Sequence, residues 1–489
     1  MSASIGQSTL AAPQTWRAAA ARLAEGDATL ISLWGDDGGV RMALATNGGA
    51  IDVLDLACAG GAFPSVAANH APAGRLERTA CDLFGFTATD APDARPWLDH
   101  GRWLVRHPLG RPIAHDGSPD AYAFLAAHGS GLHQIPVGPV HAGIIEPGHF
   151  RFHASGEAVV RLEERLGYVH KGVDSLMRGA SVERAAVLAA RVSGDSTVAY
   201  SVAFARAIEA ALGIEAPERA HWLRGLMAEL ERLANHFGDI GAICNDAAFS
   251  LMHAHCAVLR ERTLRAAAIA FGHRLMMDAV APGGVAVDLT SQGADAIRAL
   301  VDEARNAFPA LVTLYDNTAS LQDRMVATGV LKADLARQFG AGGVVGRASG
   351  RDFDARRDFS YPPYDQLSFK VAIRREGDVN ARVWVRIDEI GESLNMIDAM
   401  LARLPQGPIR VALPVSAGAG EGLALIEAFR GDVFAHVRFA ENGAVARCHL
   451  RDASWFQWPL LEAAIEGNIV ADFPLCNKSF NCSYSGCDL

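Results

Sequence analysis

Apolar residues recur along this chain with two different periods, and the switch between them divides it. Over 15–24 they fall three and four residues apart, the spacing of an amphipathic helix. Residues 28–34 and 39–46 are apolar and β-branched enough to predict strands. A Gly-, Ala- and Pro-rich stretch over 57–73 interrupts the pattern. It resumes at 76–86 as a charged turn and helix closed by Phe84 and Phe86. The polar region 107–134, with its Gly and Pro residues, reads as a linker. Beyond it, 136–152 and 158–168 alternate as a strand pair would. From 175 to about 281 the period turns helical, over 202–212, 219–240 and 249–278, until Pro282-Gly283-Gly284 breaks it. Helices this long predict a bundle. A further helical stretch, 294–339, runs into a glycine-rich loop at 340–350. The pattern predicts an α+β protein: a small α+β unit, then a mainly helical one.

Composition narrows the function classes. A chain of 489 residues is long enough for two or three domains, and half apolar with a fifth charged is ordinary for a globular core. A net charge of −10 argues against nucleic acid or a polybasic membrane surface. No run reaches the ~18 consecutive apolar residues of a spanning helix. The first 14 residues lack a basic region followed by an apolar block, so no secretory signal is expected. Without one, the eight cysteines are expected as reduced thiols. Cys476, Cys482 and Cys487 crowd the end of the chain at spacings that match no standard zinc or cluster motif.

Two segments invite chemistry. The glycine-rich loop does not fit G-x-G-x-x-G, because Val345 takes the third position, and no Walker pattern follows. Tight packing near a buried site is the better reading. The segment 138–152 holds His141, Glu146 and His149 in otherwise apolar surroundings. Burial and mutual contact would move such groups towards neutral pKa values and suit them to proton relay. Equally, the imidazoles could simply hydrogen-bond the loop.

The motifs resemble a known superfamily. Gly138-Pro-Val-His141, then Glu146-Pro-Gly-His149-Phe150, is similar to the G-P-V-H-x-x-x-x-E-P-G-H-F loop of energy-converting [NiFe]-hydrogenase large subunits. Tyr168 to Leu176 resembles their Y-V-H-[RK]-G-x-E-x-L. Glu229, Arg232 and His236 share one helical face, as in E-x-x-R-x-x-x-H. Ile426 to Gly431 resembles E-A-P-R-G, with Phe429 for proline. Near the N-terminus, Glu77, Arg78, Asp82, Leu83, Phe84 and Gly85, then Asp90, Pro92, Asp93 and Arg95, resemble the assembly signature of the complex I 30-kDa subunit. The order is that of hydrogenase-4 and formate hydrogenlyase large subunits, related to the complex I 49-kDa subunit. The resemblance implies a 30-kDa-like α+β domain over 1–110, a linker over 111–135, and a 49-kDa-like helical domain with peripheral β-hairpins over 136–489.

The departures matter most. Hydrogenases of this family hold nickel and iron with two C-x-x-C pairs, and the four matching positions here are Ser193, Ser196, Ser483 and Gly486. Soft thiolate donors are gone, so no metal is expected there. By resemblance, Arg430 corresponds to the arginine over the metal pair, Arg191 to the arginine beside a partner's terminal iron–sulfur cluster, and Glu146 to the start of a proton path. The family's quinone-contacting tyrosine has no counterpart beside Gly194 and Asp195, while Tyr200 stands where hydrogenases carry His. The tail lacks the D-P-C-x-x-C-x-x-H of nickel maturation.

The expectation is therefore a metal-free large subunit of a complex I-like membrane oxidoreductase that binds no cofactor itself. It would take electrons from an iron–sulfur small subunit and reduce a quinone or similar acceptor. Ion movement through antiporter-like subunits would be coupled to that reduction, with NADH or formate as donor to the complex. It would lie on the cytoplasmic face of the cell membrane through its partners. Its site residues would be His141, Glu146, His149, Arg191, Asp195, Tyr200 and Arg430. The competing expectations are a structural coupling subunit, and an unusual metal site built from Cys476, Cys482 and Cys487.

Overall fold

The computed structural model describes residues 5–46, 49–142, 145–414 and 419–489. Gly143 and Ile144 of the 138–152 loop, and the first four residues, lie outside them. The N-terminal unit is a four-stranded sheet in the order Ile5–Leu10, Ile51–Ala57, Gly39–Thr46, Ala28–Asp36, the first pair parallel and the others antiparallel. Helix Pro13–Glu25 turns Trp16, Ala19, Ala20 and Leu23 inward, the three- and four-residue spacing seen in the sequence. The charged motif in and after helix Gly74–Phe84 is a fastening. Glu77 accepts from Ser65 Oγ and the Val66 and Ala67 amides, and Asp82 accepts from the amides of Trp97, Leu98 and Asp99. Arg78 grips Asp93 and the Arg95 and Pro96 carbonyls.

The bundle forms where the period is helical, in helices Thr197–Leu212, Glu218–Asp246, Ser250–Phe271, Ser291–Asn317 and Val379–Arg403. Helix Glu218–Asp246 is buried nearly all round, so its polar residues must pair inside the core. They do: His236 Nε2 lies 2.8 Å from Glu389, Arg232 reaches both Glu229 and Glu389, and Arg356 bonds Glu229 at 3.0 Å.

The last sheet joins the halves. Strands Glu421–Ala428, Gly431–Phe439 and Val445–Arg451 form an antiparallel meander. Ala424, Ile426 and Ala428 face the bundle core, whereas Leu423 and Leu425 pack with Ile31, Trp34 and Val53 of the N-terminal sheet. Polar contacts reinforce this face. Ser32 Oγ lies 2.7 Å from His449 Nε2, Trp34 stacks on His449, and Arg447 and Arg451 donate to the Gly35 and Ile31 carbonyls. The N-terminal unit is thus welded to the C-terminal sheet.

Three boundaries differ from the sequence reading. Residues 136–152 are not one strand: Leu132–Val137 ends, a loop intervenes, and His149–Ser155 pairs with both Leu132–Val137 and Ala158–Arg165. The 249–278 helix stops at Phe271, where Gly272 takes the left-handed conformation (φ 79°) and ends it ahead of the Pro-Gly-Gly break. Residues 294–339 divide into Ser291–Asn317, Ala319–Met325 and Ala333–Gln338. Among the described residues, no helix is long and apolar enough to cross a membrane.

Candidate functional site

The two ends of the helical domain meet at one point. Ser193 and Ser196 flank the turn into helix Thr197–Leu212, and Ser483 and Gly486 lie in the C-terminal tail. The Gly486 amide donates to Ser483 Oγ (2.9 Å), Ser483 to Ser193 Oγ (3.3 Å), and Ser193 to Asp195 Oδ1 (2.8 Å). All four positions singled out in the sequence therefore adjoin, Ser196 entering through Arg430.

Arg430 sits in the two-residue turn between strands Glu421–Ala428 and Gly431–Phe439, which aims its side chain across the site. Its guanidinium forks onto Asp195 (2.9 and 2.6 Å), donates to Ser196 Oγ (2.9 Å) and to the Asn481 carbonyl (2.5 Å), and lies over the Phe429 ring. Burial alone would raise the Asp195 pKa, but Arg430 and the two serine hydroxyls hold it down at about 2. The carboxylate is ionised throughout the physiological range.

The glycine-rich loop supports this turn. Gly343 has φ +61°, and a Cβ there would fall 2.0 Å from the Arg430 carbonyl oxygen. Gln457 bridges the Gly342 and Arg430 carbonyls. Close backbone approach is why glycine is needed, as read from the sequence.

On the other side of Gly486, the Tyr200 hydroxyl donates to Asp452 Oδ2 at 2.9 Å, and the Ser454 amide donates to Oδ1. Both residues are buried. Burial, then the Asp452 charge, pushes the phenol well above its ordinary pKa, so it stays protonated. Asp452 was missed by sequence reasoning. The only signal was a carboxylate inside the otherwise apolar run that follows Arg451.

The remaining expected residues stand apart. Glu146 reaches the tail, where its Oε2 accepts from the Ser485 amide at 3.2 Å. His141 Nε2 donates to the Gly148 carbonyl and His149 Nδ1 points at the Gly138 carbonyl (3.4 Å), while Arg151 donates to His149 Nε2. These imidazoles hold their own loop together and make no hydrogen bond to the serine network. Arg191 also turns away, forking onto Asp278 at 2.7 Å on the exposed surface.

Would the metal pair of the fold family fit here? Three hydroxyls and a glycine are not a soft donor set. A Cβ at Gly486 would lie 2.9 Å from both Ser483 Oγ and Tyr200 Oη, so the phenol already fills the space of a side chain there. The residues present do not fit a nickel–iron pair. Cys476, Cys482 and Cys487 are buried, and burial raises all three thiol pKa values, which keeps them protonated. Among the described residues, no three His, Cys, Asp or Glu side chains converge as a metal site requires.

Comparison with known proteins agrees with this architecture. Residues 246–417 match the family model described as respiratory-chain NADH dehydrogenase, 49 Kd subunit. The chain is 32% identical to formate hydrogenlyase subunit 5 of Escherichia coli K12 over 87% of its own length and 77% of that protein. It is 30% identical to hydrogenase-4 component G of the same organism, over 87% and 76%. A chain in the structure of the membrane-bound sulfane sulfur reductase, an archaeal respiratory membrane complex, superposes with a TM-score of 0.70 at 25% identity. That match covers 73% of this chain and 99% of that one. The chain belongs to the hydrogenase-4 and formate hydrogenlyase type of large subunit, related to the complex I 49-kDa subunit.

Proposed function

We propose that this chain is the metal-free large subunit of a membrane-associated, complex I-like oxidoreductase. It takes electrons from an iron–sulfur cluster in a partner subunit and passes them to a quinone or similar small acceptor. Antiporter-like membrane partners couple that reduction to ion movement, and NADH or formate feeds the whole complex. The chain lies on the cytoplasmic side through those partners. The observation that carries the reading is the network of Ser193, Ser196, Ser483, Gly486, Asp195 and Arg430, with Tyr200 and Asp452 beside it.

Quinone reduction requires two electrons and two protons, Q + 2e⁻ + 2H⁺ → QH₂. With electrons arriving from a partner, this chain's share is protonic and electrostatic. The Tyr200–Asp452 pair holds a proton on the phenol, and Arg430, once turned from Asp195, supplies a cation for a developing oxyanion. Glu146, which accepts from the tail amide of Ser485, is the group assigned in this reading to proton replacement.

A second reading is favoured by one observation: Ser193, Ser196, Tyr200, Arg430 and Ser483 are all buried and bond one another or the neighbouring Asp195 and Asp452. In that reading the chain couples its partners without a substrate of its own. Metal content and quinone turnover of the affinity-purified complex separate the possibilities. The proposal expects no nickel and turnover that falls about 100-fold in Tyr200→Phe or Asp452→Asn. One nickel per chain would overturn the metal-free assignment, and turnover indifferent to both substitutions would leave the coupling role.

A further inference from the structure

Several arginines buried in this protein are matched to carboxylates. Arg232, Arg347, Arg356, Arg386, Arg430 and Arg451 all lie within ion-pair distance of one. Arg206, on helix Thr197–Leu212, is different. Its Nε is buried without a hydrogen-bond partner, and its guanidinium rests on the Tyr361 ring at 4.9 Å. The carboxylate one turn along its own helix, Glu209, is already engaged: Arg224 forks onto it at 3.0 and 2.5 Å, and the Gly283 amide donates to it. Arg206 is half-buried, and the carboxylates that act on it, Glu209 and Asp365, do so through space, with no ion pair to it among the described residues.

Arg206 lines a cavity of about 500 Å³, well away from the serine network, between the end of its helix, the 359–365 turn and strand Glu421–Ala428. That volume is in the range of small-molecule sites. Ile214, Phe359, Pro362, Leu423 and Leu425 supply an apolar wall. His221 is another lining group; burial drops its pKa to about 4, so it is neutral and adds no cation. Three carboxylates lie on the lining as well: Glu209, which Arg224 neutralises, and the exposed Glu215 and Asp365.

We infer that this cavity binds a small monocarboxylic acid with an apolar body. A guanidinium with free N–H groups suits a planar, bidentate carboxylate, and the aliphatic and aromatic wall suits a hydrocarbon chain. The acidic side chains of Glu215 and Asp365, which no arginine on the lining pairs within ion-pair distance, disfavour phosphate esters and other multiply charged anions most strongly, since one arginine cannot neutralise them. Nothing in this inference depends on the redox reading of the serine network.

Calorimetric titration of the purified full chain with hexanoate, hexanamide and inorganic phosphate tests it, on wild type, Arg206→Gln and Arg206→Lys. The expected result is saturable hexanoate binding that weakens about tenfold or more in Arg206→Gln and is partly kept in Arg206→Lys. Hexanamide and phosphate should bind more weakly than hexanoate. Thermal unfolding provides a second readout. Without ligand, Arg206→Gln should melt within a few degrees of wild type, because Arg206 is half-buried and makes no ion pair among the described residues. With hexanoate, only proteins retaining a cation at 206 should gain stability. Equal hexanoate affinity in wild type and Arg206→Gln, no saturation in the millimolar range, or preference for phosphate would each overturn the assignment.

Discussion

Asp195→Asn tests whether the serine network is held by charge. The substitution keeps the shape of the side chain and removes the countercharge of Arg430, whose own side chain is only 6% exposed. Two routes to the magnitude disagree. Holding Asp195 at about 2 against an ordinary 3.8 corresponds to about 2 kcal/mol at most, at ~1.4 kcal/mol per pKa unit. Because the Asp195 side chain keeps 37% of its surface exposed, water screening reduces that to about 1 kcal/mol. From the arginine's side, stranding a buried cation costs about 3–5 kcal/mol. Arg430 retains Ser196, the Asn481 carbonyl and the Phe429 face, so the outcome should fall between, at about 2–3 kcal/mol. A chain of this size is not expected to unfold in two states, so melting temperature with a double-mutant cycle is the suitable assay. At roughly 2 °C per kcal/mol, Asp195→Asn should lower it by roughly 5 °C. Arg430→Met should also destabilise, and the double variant should be little worse than the worse single one. Strictly additive losses, or an Asp195→Asn protein as stable as wild type, would refute the view that this pair organises the site. Acid gives the same test in another form. A depressed carboxylate stabilises above its unfolded pKa, so this contribution should persist at neutral pH and fade only as pH falls from about 4 towards 2.

Three further outcomes are expected. Gly343→Ala should cost at least about 3 kcal/mol, since it combines a left-handed backbone with a Cβ driven into the Arg430 carbonyl, and a melting temperature near wild type would contradict that packing. Gly486→Ala should cost about 1–2 kcal/mol by pressing on Tyr200 Oη and Ser483 Oγ, and combining it with Tyr200→Phe should cost less than the sum, as thermal unfolding of the three variants would show. Burial lowers the His70 pKa to about 4, so between 6.5 and 4 the unfolded chain binds a proton that the folded one refuses. The stability of wild type relative to His70→Gln should therefore fall as pH drops through that window, and a difference independent of pH would refute the assignment.

The sequence made the helices legible because their apolar positions keep one period: all four residues that face inward on Pro13–Glu25 lie in the predicted 15–24 stretch. The C-terminal meander was not legible, and its burial explains why. Ala424 and Ile426 meet the bundle while Leu423 and Leu425 meet the N-terminal sheet, so both faces are apolar and the alternation that marks a half-exposed strand vanishes. At the site, the spacing Ser193-x-x-Ser196 and Ser483-x-x-Gly486 located the right backbone, and the structure joins all four positions. What spacing does not encode is where a side chain points. Arg191 and Arg430 looked equivalent as candidate cations, yet one forks onto Asp278 at the surface and the other onto Asp195 inside. Asp452 lies 252 residues from Tyr200 in sequence, so no local pattern pairs them.

The geometry also limits how anything could reach this site. Ser193, Ser196, Tyr200, Arg430, Asp452 and Ser483 are all buried, whereas Gly194 is exposed and Asp195 keeps a third of its side chain open. The accessible edge therefore runs from the exposed Arg191–Asp278 pair through Gly194 to Asp195, in front of Arg430. Under the proposed function, a partner's cluster or a small acceptor must approach over that edge, and it meets the Asp195 carboxylate first. An acceptor that develops negative charge would be repelled there unless Arg430 swings from Asp195 to face it. Such a swing exchanges one charge-assisted fork for another and exposes no new cation. The proposed function therefore requires a second arrangement, turned to an acceptor, beside the closed one of this structure. Arg430→Lys discriminates: lysine can neutralise Asp195 but cannot fork onto Asp195 and Ser196 together. A complex that keeps its melting temperature yet loses turnover in Arg430→Lys would place the guanidinium at the acceptor, whereas parallel loss of both would leave it a brace.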